Sequence, residues 1–316
     1  MHTVGLNSAR FSLHYRGKQN LRDIPEEAYR RNGSDKNERE QEGNPDMDKI
    51  RRNERMSAML KMLVSEPNRI FTLSSFCELF GTAKSTMSED VDALQAVVET
   101  FDLGRVDTVT GAAGGVRYRP IVSPEKAKRT ISDLCRKLSG TERVLPGGFL
   151  YYSDVLSNPE IVGVIGEIIA TRFYDKAPDF VLTMETTGIP AAYATAHALG
   201  VPVVIARHSS KVYEGSAVNI NYVSGSGTIE TMSLSRRAVK QNQRALIVDD
   251  FLRGGGTARG MMEMMREFNV EVAGMAFVMA ADEPGKKRVG SAAALMQVEI
   301  RDGDPPEAVV TPSDWL

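Results

Sequence analysis

The run Ala245-Leu246-Ile247-Val248-Asp249-Asp250-Phe251-Leu252-Arg253-Gly254-Gly255-Gly256-Thr257 carries the sharpest chemistry in the chain. An apolar strand ends in two adjacent carboxylates, a glycine-rich turn follows, and a helix starts near Thr257. Ligands of open α/β sheets sit at the carboxyl ends of strands. Gly254, Gly255 and Gly256 let backbone N–H groups converge on a phosphate with no side chain in the way. The helix N-terminus adds partial positive charge and free donors, and Thr257 adds a hydroxyl. Asp249 and Asp250 accept hydrogen bonds only, which suits the vicinal hydroxyls of a ribose. Sugar acceptors beside phosphate donors describe a site for a ribose 5-phosphate. A βα turn whose glycines serve packing alone is the plain alternative, but such a turn needs neither the acids nor the threonine. The run is neither GxGxxG nor a P-loop, because no Gly-Lys-Ser/Thr is present.

A sheet has to carry this site, and the surrounding pattern predicts one. Ile161, Val164, Ile165, Ile168 and Ile169 form a buried helix face. Phe180-Val181-Leu182 reads as a buried strand, followed by a helix through Ala191–Leu199 and a strand over Val201–Ala206. Arg244–Asp249 is the strand of the acid pair. Alternating β and α with near-continuous apolar strands implies a parallel sheet covered on both faces. Leu145-Pro146-Gly147-Gly148 marks a boundary before it, and residues 123–147 read as a linker helix and its exit. The large domain is thus expected over 148–316.

Upstream lies a different pattern. Met56, Met59, Leu60 and Leu63 fall at helical spacing, and Pro67-Asn68 ends that helix. Thr72 is a candidate N-cap for a second helix with Leu73, Phe76, Cys77 and Phe80, broken by Gly81. A third helix carries Met87, Val91, Leu94 and Val98. Two short strands, Arg105–Thr110 and Val116–Arg119, flank the turn at Gly111–Gly115. Helix, helix, helix, hairpin is the order of a winged helix-turn-helix, expected over 48–122. Residues 1–47 are polar and charge-rich and read as a disordered tail, with Met47 as an alternative start.

The whole chain excludes several classes. Its 316 residues are 42% hydrophobic, enough for one sizeable α/β core and one small domain. The net charge is −2, so any nucleic-acid footprint must be local. Cys77 and Cys135 are far apart, which argues against a disulfide scaffold and for the reducing cytoplasm. No Cys/His cluster has metal spacing, no apolar stretch reaches about 18 residues, and the first residues lack a signal peptide's apolar core.

The layout as a whole resembles a known family. Two acids, four residues and Gly-Gly-Thr resemble the phosphoribosyl pyrophosphate (PRPP) motif of type I phosphoribosyltransferases. The runs Lys84-Ser85-Thr86-Met87-Ser88-Glu89-Asp90, Gly111-Ala112-Ala113-Gly114-Gly115-Val116, Leu145-Pro146-Gly147-Gly148-Phe149, Glu214-Gly215-Ser216 and Asn221-Tyr222-Val223-Ser224-Gly225 occur with it in order. Together they resemble the bacterial purine operon repressor family over roughly residues 49–280. The resemblance implies a dimer that represses purine synthesis and transport genes and leaves operator DNA when PRPP binds, with no enzymatic turnover and no required cofactor. PRPP would arrive with or without Mg²⁺.

Site roles follow from the resemblance. Asp249 and Asp250 take the ribose hydroxyls, and Arg253 to Thr257, next to Phe251, wrap the 5-phosphate. Thr186, Thr187 and Gly188, in Glu185-Thr186-Thr187-Gly188-Ile189-Pro190, form the pyrophosphate loop. Arg207, His208 and Lys211 supply pyrophosphate contacts. Tyr222 to Gly227, with Ser224, form the tip of a hood. A helix N-cap, a solvated charged loop and a hairpin turn are the respective bland readings. Three positions depart from the family pattern: Thr187 and His208 stand where basic residues are expected, and Phe149 where a tyrosine is expected. They leave open another phosphorylated ligand, such as a guanosine polyphosphate alarmone. Arg253 stands where some superfamily enzymes place an acid that acts as a base, and arginine accepts no proton. An active purine phosphoribosyltransferase with a fused regulatory domain is the alternative function. RNA attenuation is a weaker one, because no set of exposed aromatics for splayed bases is evident.

The DNA surface is expected at the start of the third helix, on Lys84, Ser85, Thr86 and Ser88, since a recognition helix presents its first turn to the groove. Arg51, Arg52 and Arg55 at the start of the first helix, and Arg117 beyond the wing tip, are candidate phosphate contacts. Helix capping and solvated faces are the bland readings. Arg236, Arg237 and Lys240 form a further basic cluster in the large domain.

Overall fold

The computed structural model describes residues 50–111, 114–210, 215–224, 227–281 and 292–316. The amino-terminal tail, two wing-tip alanines and Lys211 lie outside the described residues.

The small domain has the expected order. It runs α1 (Arg52–Ser65), α2 (Leu73–Phe80), α3 (Lys84–Thr100), β1 (Arg105–Val109) and β2 (Gly115–Arg119). Helical spacing places Met59 and Leu63 of α1, Phe76 and Phe80 of α2, and Met87, Val91, Leu94 and Val98 of α3 in one core. Val106, Val116 and Tyr118 close it from the antiparallel hairpin β1–β2. Thr72 caps α2 by accepting from the Ser75 N–H at 3.1 Å. Gly81 ends that helix at φ 62°, a left-handed conformation that glycine adopts without penalty.

The large domain runs α4 (Pro124–Leu138), β3 (Val144–Leu145), β4 (Phe149–Leu150), α5 (Ser153–Leu156), α6 (Pro159–Phe173), β5 (Phe180–Met184), α7 (Ile189–Leu199), β6 (Val203–Ala206), β7 (Ala217–Val223), β8 (Ile229–Ser235), β9 (Arg244–Leu252), α8 (Gly256–Glu267), β10 (Glu271–Ala281), β11 (Ala293–Arg301) and β12 (Glu307–Pro312). The sheet order is β12-β11-β10-β9-β5-β6. All its pairings are parallel except β11 with the edge strand β12. Alternation along the central strands feeds two cores. Val181, Leu246 and Val248 face α6 and α7. Phe180, Leu182, Ala245 and Ile247 face α8 and the β7–β8 hairpin. No helix among the described residues is long and apolar enough to cross a membrane.

Three expectations for the large domain need correction. First, α4 is no free linker. Its buried face, Ala127, Ile131, Leu134, Cys135 and Leu138, belongs to the core under α6 and α7. Second, Leu145-Pro146-Gly147-Gly148 is no domain boundary. It is the turn of the β3–β4 hairpin, with Gly147 and Gly148 at φ 89° and 74°. The strand β9 also runs to Leu252 rather than ending at Asp249, because β10 continues to pair with it through Ala280.

Candidate functional site

The acid pair sits near the carboxyl end of β9, at the centre of the sheet. Asp249 is 7% exposed. Its Oδ1 accepts from the Asp250 N–H at 3.1 Å and from the Thr183 hydroxyl of β5 at 3.5 Å. The loop between β5 and α7 presses on the same carboxylate. A Cβ on Gly188 would lie 1.8 Å from Asp249 Oδ1, so only glycine fits there. Thr186, Thr187 and Gly188 are thereby brought beside the acid pair at the N-terminus of α7. Asp250 turns the other way, and its Oδ2 accepts from the Tyr152 hydroxyl at 2.6 Å. Phe251 stacks on Tyr152 with centroids 6.0 Å apart, which steadies that phenol.

Gly254 and Gly255 make the turn into α8, with Gly255 as N-cap at φ 71°. The β7 strand crosses directly above. A Cβ on Gly256 would lie 1.9 Å from the Val223 carbonyl oxygen, so Ser224 at the end of the hood lies against the glycine turn. The Tyr222 phenol of β7 donates to Glu230 at 2.9 Å. Burial, then Glu230, pushes that phenol up to about 12. The site therefore has acceptors at one end and the N-terminus of α8 at the other, under a hairpin.

Arg207 and His208 flank the loop as expected, but both face acids. Arg207 Nη1 lies 3.2 Å from Glu185 Oε2, and the His208 N–H donates to Glu185 Oε1 at 2.6 Å. His208 Nδ1 is 3.7 Å from Glu230. Phe149 stands in a separate part of the site. The Arg253 guanidinium lies over its ring at 5.1 Å. Both line a cavity of about 550 Å³ with Tyr152, Phe251, Glu299 and Asp302.

Several site residues escaped the sequence. Tyr152 follows the hairpin that was read as a boundary. Thr183 lies inside a strand whose other residues are apolar, and that isolated hydroxyl was its signal. Glu185 falls inside the loop quoted from the sequence, but its partners Arg207 and His208 lie 22 and 23 residues further along; Glu230 and Glu299 carried no local signal.

The two carboxylates repel each other in a poorly solvated place. Burial, and then the charge of Asp250, hold the Asp249 carboxyl well above the usual carboxylate range. A raised folded-state value means that this group favours folding below about pH 4, the ordinary carboxylate value. That contribution is lost as pH rises through the raised folded-state value. Asp249→Asn removes the buried charge. The variant is expected to melt at a higher temperature than the parent at pH 8, with the gap closing as pH is lowered towards 4. Thermal melts at both ends test this, and equal pH slopes for the two proteins would refute it.

At the opposite end, Lys84, Ser85 and Ser88 are exposed on the first turn of α3, and Thr86 is half-buried. Arg51 is exposed as well. Arg52 is 59% exposed, and its Nε meets Asp90 Oδ1 at 2.9 Å. Arg55 is not a phosphate contact. It is 6% exposed. Its Nε and Nη2 donate to Asp90 Oδ2 at 2.9 and 2.8 Å, and Nη1 donates to the Ile50 carbonyl at 2.8 Å. Asp90 shares the inward face of α3 with Met87, Val91 and Leu94, which draws Arg55 inward. Arg117 is likewise engaged by groups of its own domain. On β2 it alternates with the core residues Val116 and Tyr118. It faces Asp107 at 3.5 Å and Asn68 at 3.3 Å, and its neighbour Arg119 stacks over Tyr174 of the large domain.

The molecule thus joins a winged helix to a phosphoribosyltransferase-type fold whose acid pair and glycine turn stand under a hood. Residues 51–120 match the family model described as the N-terminal domain of the bacterial purine repressor, and residues 152–310 match the phosphoribosyl transferase domain. The chain is 46% identical to the probable purine biosynthesis transcriptional regulator PurR of Streptococcus pneumoniae, over 76% of this chain and 88% of that protein. It is 40% identical to the purine biosynthesis transcriptional repressor PurR of Bacillus subtilis, over 81% and 94%. It is 37% identical to the purine biosynthesis transcriptional activator PurR of Lactococcus lactis, over 80% and 94%. The chain belongs to the bacterial purine repressor family.

Proposed function

We propose that this chain is a cytoplasmic transcriptional repressor of purine biosynthesis and transport genes. It binds operator DNA as a dimer and is released when PRPP occupies the large domain. The observation that carries this reading is the coexistence of an exposed Lys84-Ser85-Thr86 helix start with a complete ribose-phosphate constellation at Asp249–Thr257. Asp249 and Asp250 receive the ribose hydroxyls, the turn Gly254–Thr257 holds the 5-phosphate, and Thr186 to Gly188 with Arg207 and His208 receive the pyrophosphate. Mg²⁺ bound to PRPP would neutralise part of the charge brought to the acid pair. The reading involves no turnover. Arg253 lies over Phe149 beside the site and cannot act as a proton acceptor there.

The test is operator binding by the purified protein, with and without PRPP and Mg²⁺, across a salt series. Tight binding that PRPP weakens is expected, with a slope of log affinity on log salt near −0.9 for each phosphate neutralised. The exposed Arg236, Arg237 and Lys240 contribute to that slope only if the DNA path reaches the large domain. Formation of a nucleotide from PRPP and a purine base would favour the phosphoribosyltransferase alternative.

One observation supports a second ligand. The cavity of about 550 Å³ beside the acid pair presents an aromatic ring, a guanidinium and two acids, which is more than PRPP alone uses. A guanosine polyphosphate alarmone would fill both parts. Competition between PRPP and the alarmone for the protein is the corresponding measurement.

A further inference from the structure

Helix α7 spans from the ligand loop to the DNA-binding domain. Its first cap, Gly188, rests against Asp249. Its last cap, Gly200, rests on the turn between α1 and α2, where an added Cβ would lie 2.5 Å from the Pro67 carbonyl oxygen and 3.2 Å from Asn68 Cβ. The helix has 11 residues, a rod of roughly 16 Å at about 1.5 Å per residue.

The final turn of a helix leaves carbonyls without partners inside the helix. Here the domain boundary supplies two. Asn68 Nδ2 donates to Leu199 O at 2.8 Å. The Tyr174 hydroxyl donates to Ala198 O at 2.9 Å, and Arg119 of the wing covers the Tyr174 ring at 5.3 Å. Asn68 is fixed on its other sides too. Its N–H donates to Tyr118 O of β2 at 2.7 Å, and its Oδ1 accepts from Arg117 Nη1 at 3.3 Å. It holds φ 63°, which asparagine tolerates better than most residues. One side chain therefore ties together the α1–α2 turn, the wing and the end of α7.

The rod between has little room to flex. A Cβ on Gly166 of α6 would lie 2.4 Å from the Ala194 carbonyl carbon, and Ala191, Ala192, Thr195, Ala196, Ala198 and Leu199 are buried. A close-packed interior transmits displacement rather than absorbing it.

We propose that α7 is the mechanical link between ligand and DNA, and that Asn68 is its coupling clamp. Occupation of Thr186–Gly188 repositions α7, and Asn68 passes that displacement to the turn from which α2 and α3 hang, and to the wing. This rests on the effector reading given above. Asn68 touches neither ligand nor DNA in this scheme, so it is a positioning residue.

The decisive variant is Asn68→Gly, which keeps the positive φ and the N–H to Tyr118 O while deleting both side-chain links. Operator affinity without PRPP and PRPP affinity without DNA should each match the parent. The coupling, the factor by which saturating PRPP weakens operator binding, should fall from about 5- to 150-fold to within about twofold of unity. Coupling is reciprocal, so saturating operator should likewise cease to weaken PRPP binding. Asn68→Asp is the second variant; it keeps shape and backbone but cannot donate to Leu199 O, and the same loss is expected. If either variant folds and retains the parental coupling factor, the inference is overturned. A parent protein whose operator affinity ignores PRPP overturns the effector reading instead, and the inference with it.

Discussion

The double variant Asp249→Ala/Asp250→Ala is expected to bind operator like the parent and to ignore PRPP, acting in cells as a super-repressor. Hydrogen bonds to charged groups contribute about 1.5–3 kcal/mol each. Losing one sugar contact per carboxylate therefore costs roughly 3–6 kcal/mol, a weakening of about 10²- to 10⁴-fold in PRPP affinity. A folding defect is not the expected cause. The Asp249 carboxyl is held well above its usual range by burial and by Asp250, so its removal relieves an unfavourable charge. Against this, the part-buried Tyr152 hydroxyl loses its acceptor on Asp250, a loss of about 1 kcal/mol. The two effects oppose each other, so the melting temperature should stay near that of the parent. Titration of PRPP by calorimetry, beside operator release, separates the possibilities. Full release at the parental PRPP concentration would show that the sugar lies elsewhere.

The legible parts of this molecule are those written at short range. Helical stripes such as Met87, Val91, Leu94 and Val98 need only a period, and they are buried as that period requires. The acid pair and glycine turn are contiguous, so the strand, the turn and the helix start that follow were readable from a single run. Charges were read less well, because a charge declares itself without naming its partner. Arg55 looked like a phosphate ligand, yet its partner Asp90 lies 35 residues away in the chain, and one of the two groups that hold Arg117, Asn68, lies 49 away. Tyr152 reaches Asp250 across 98 residues, and nothing local marks it. Glycines misled once as well. Gly147-Gly148 signals a break in regular structure, and a tight hairpin satisfies that signal as well as a domain boundary does. The hairpin carries Phe149 into the site, while the helix before it, α4, packs into the large domain's core.

Arg55→Ala is expected to weaken operator binding by destabilising the small domain, not by removing a DNA contact. It leaves Asp90, 1% exposed, as a buried charge whose main partner is gone. Breaking a buried pair from one side costs about 3–5 kcal/mol. A domain of about 70 residues has only roughly 4–10 kcal/mol of stability in all. Arg52→Ala is the control: its guanidinium is 59% exposed, and in its absence Asp90 keeps the buried partner Arg55. Thermal unfolding should therefore show a destabilised small domain for Arg55→Ala and a near-parental melt for Arg52→Ala, with PRPP binding to the large domain kept in both. Arg55→Met with Asp90→Leu removes both charges together. Apolar replacement of a buried pair is often neutral or stabilising, so this double variant should recover the fold and, with α3 restored, operator binding. If Arg55→Ala instead keeps its melting temperature and lowers only the salt slope of DNA binding, then Arg55 reaches a phosphate after all and the buried pair opens on the operator.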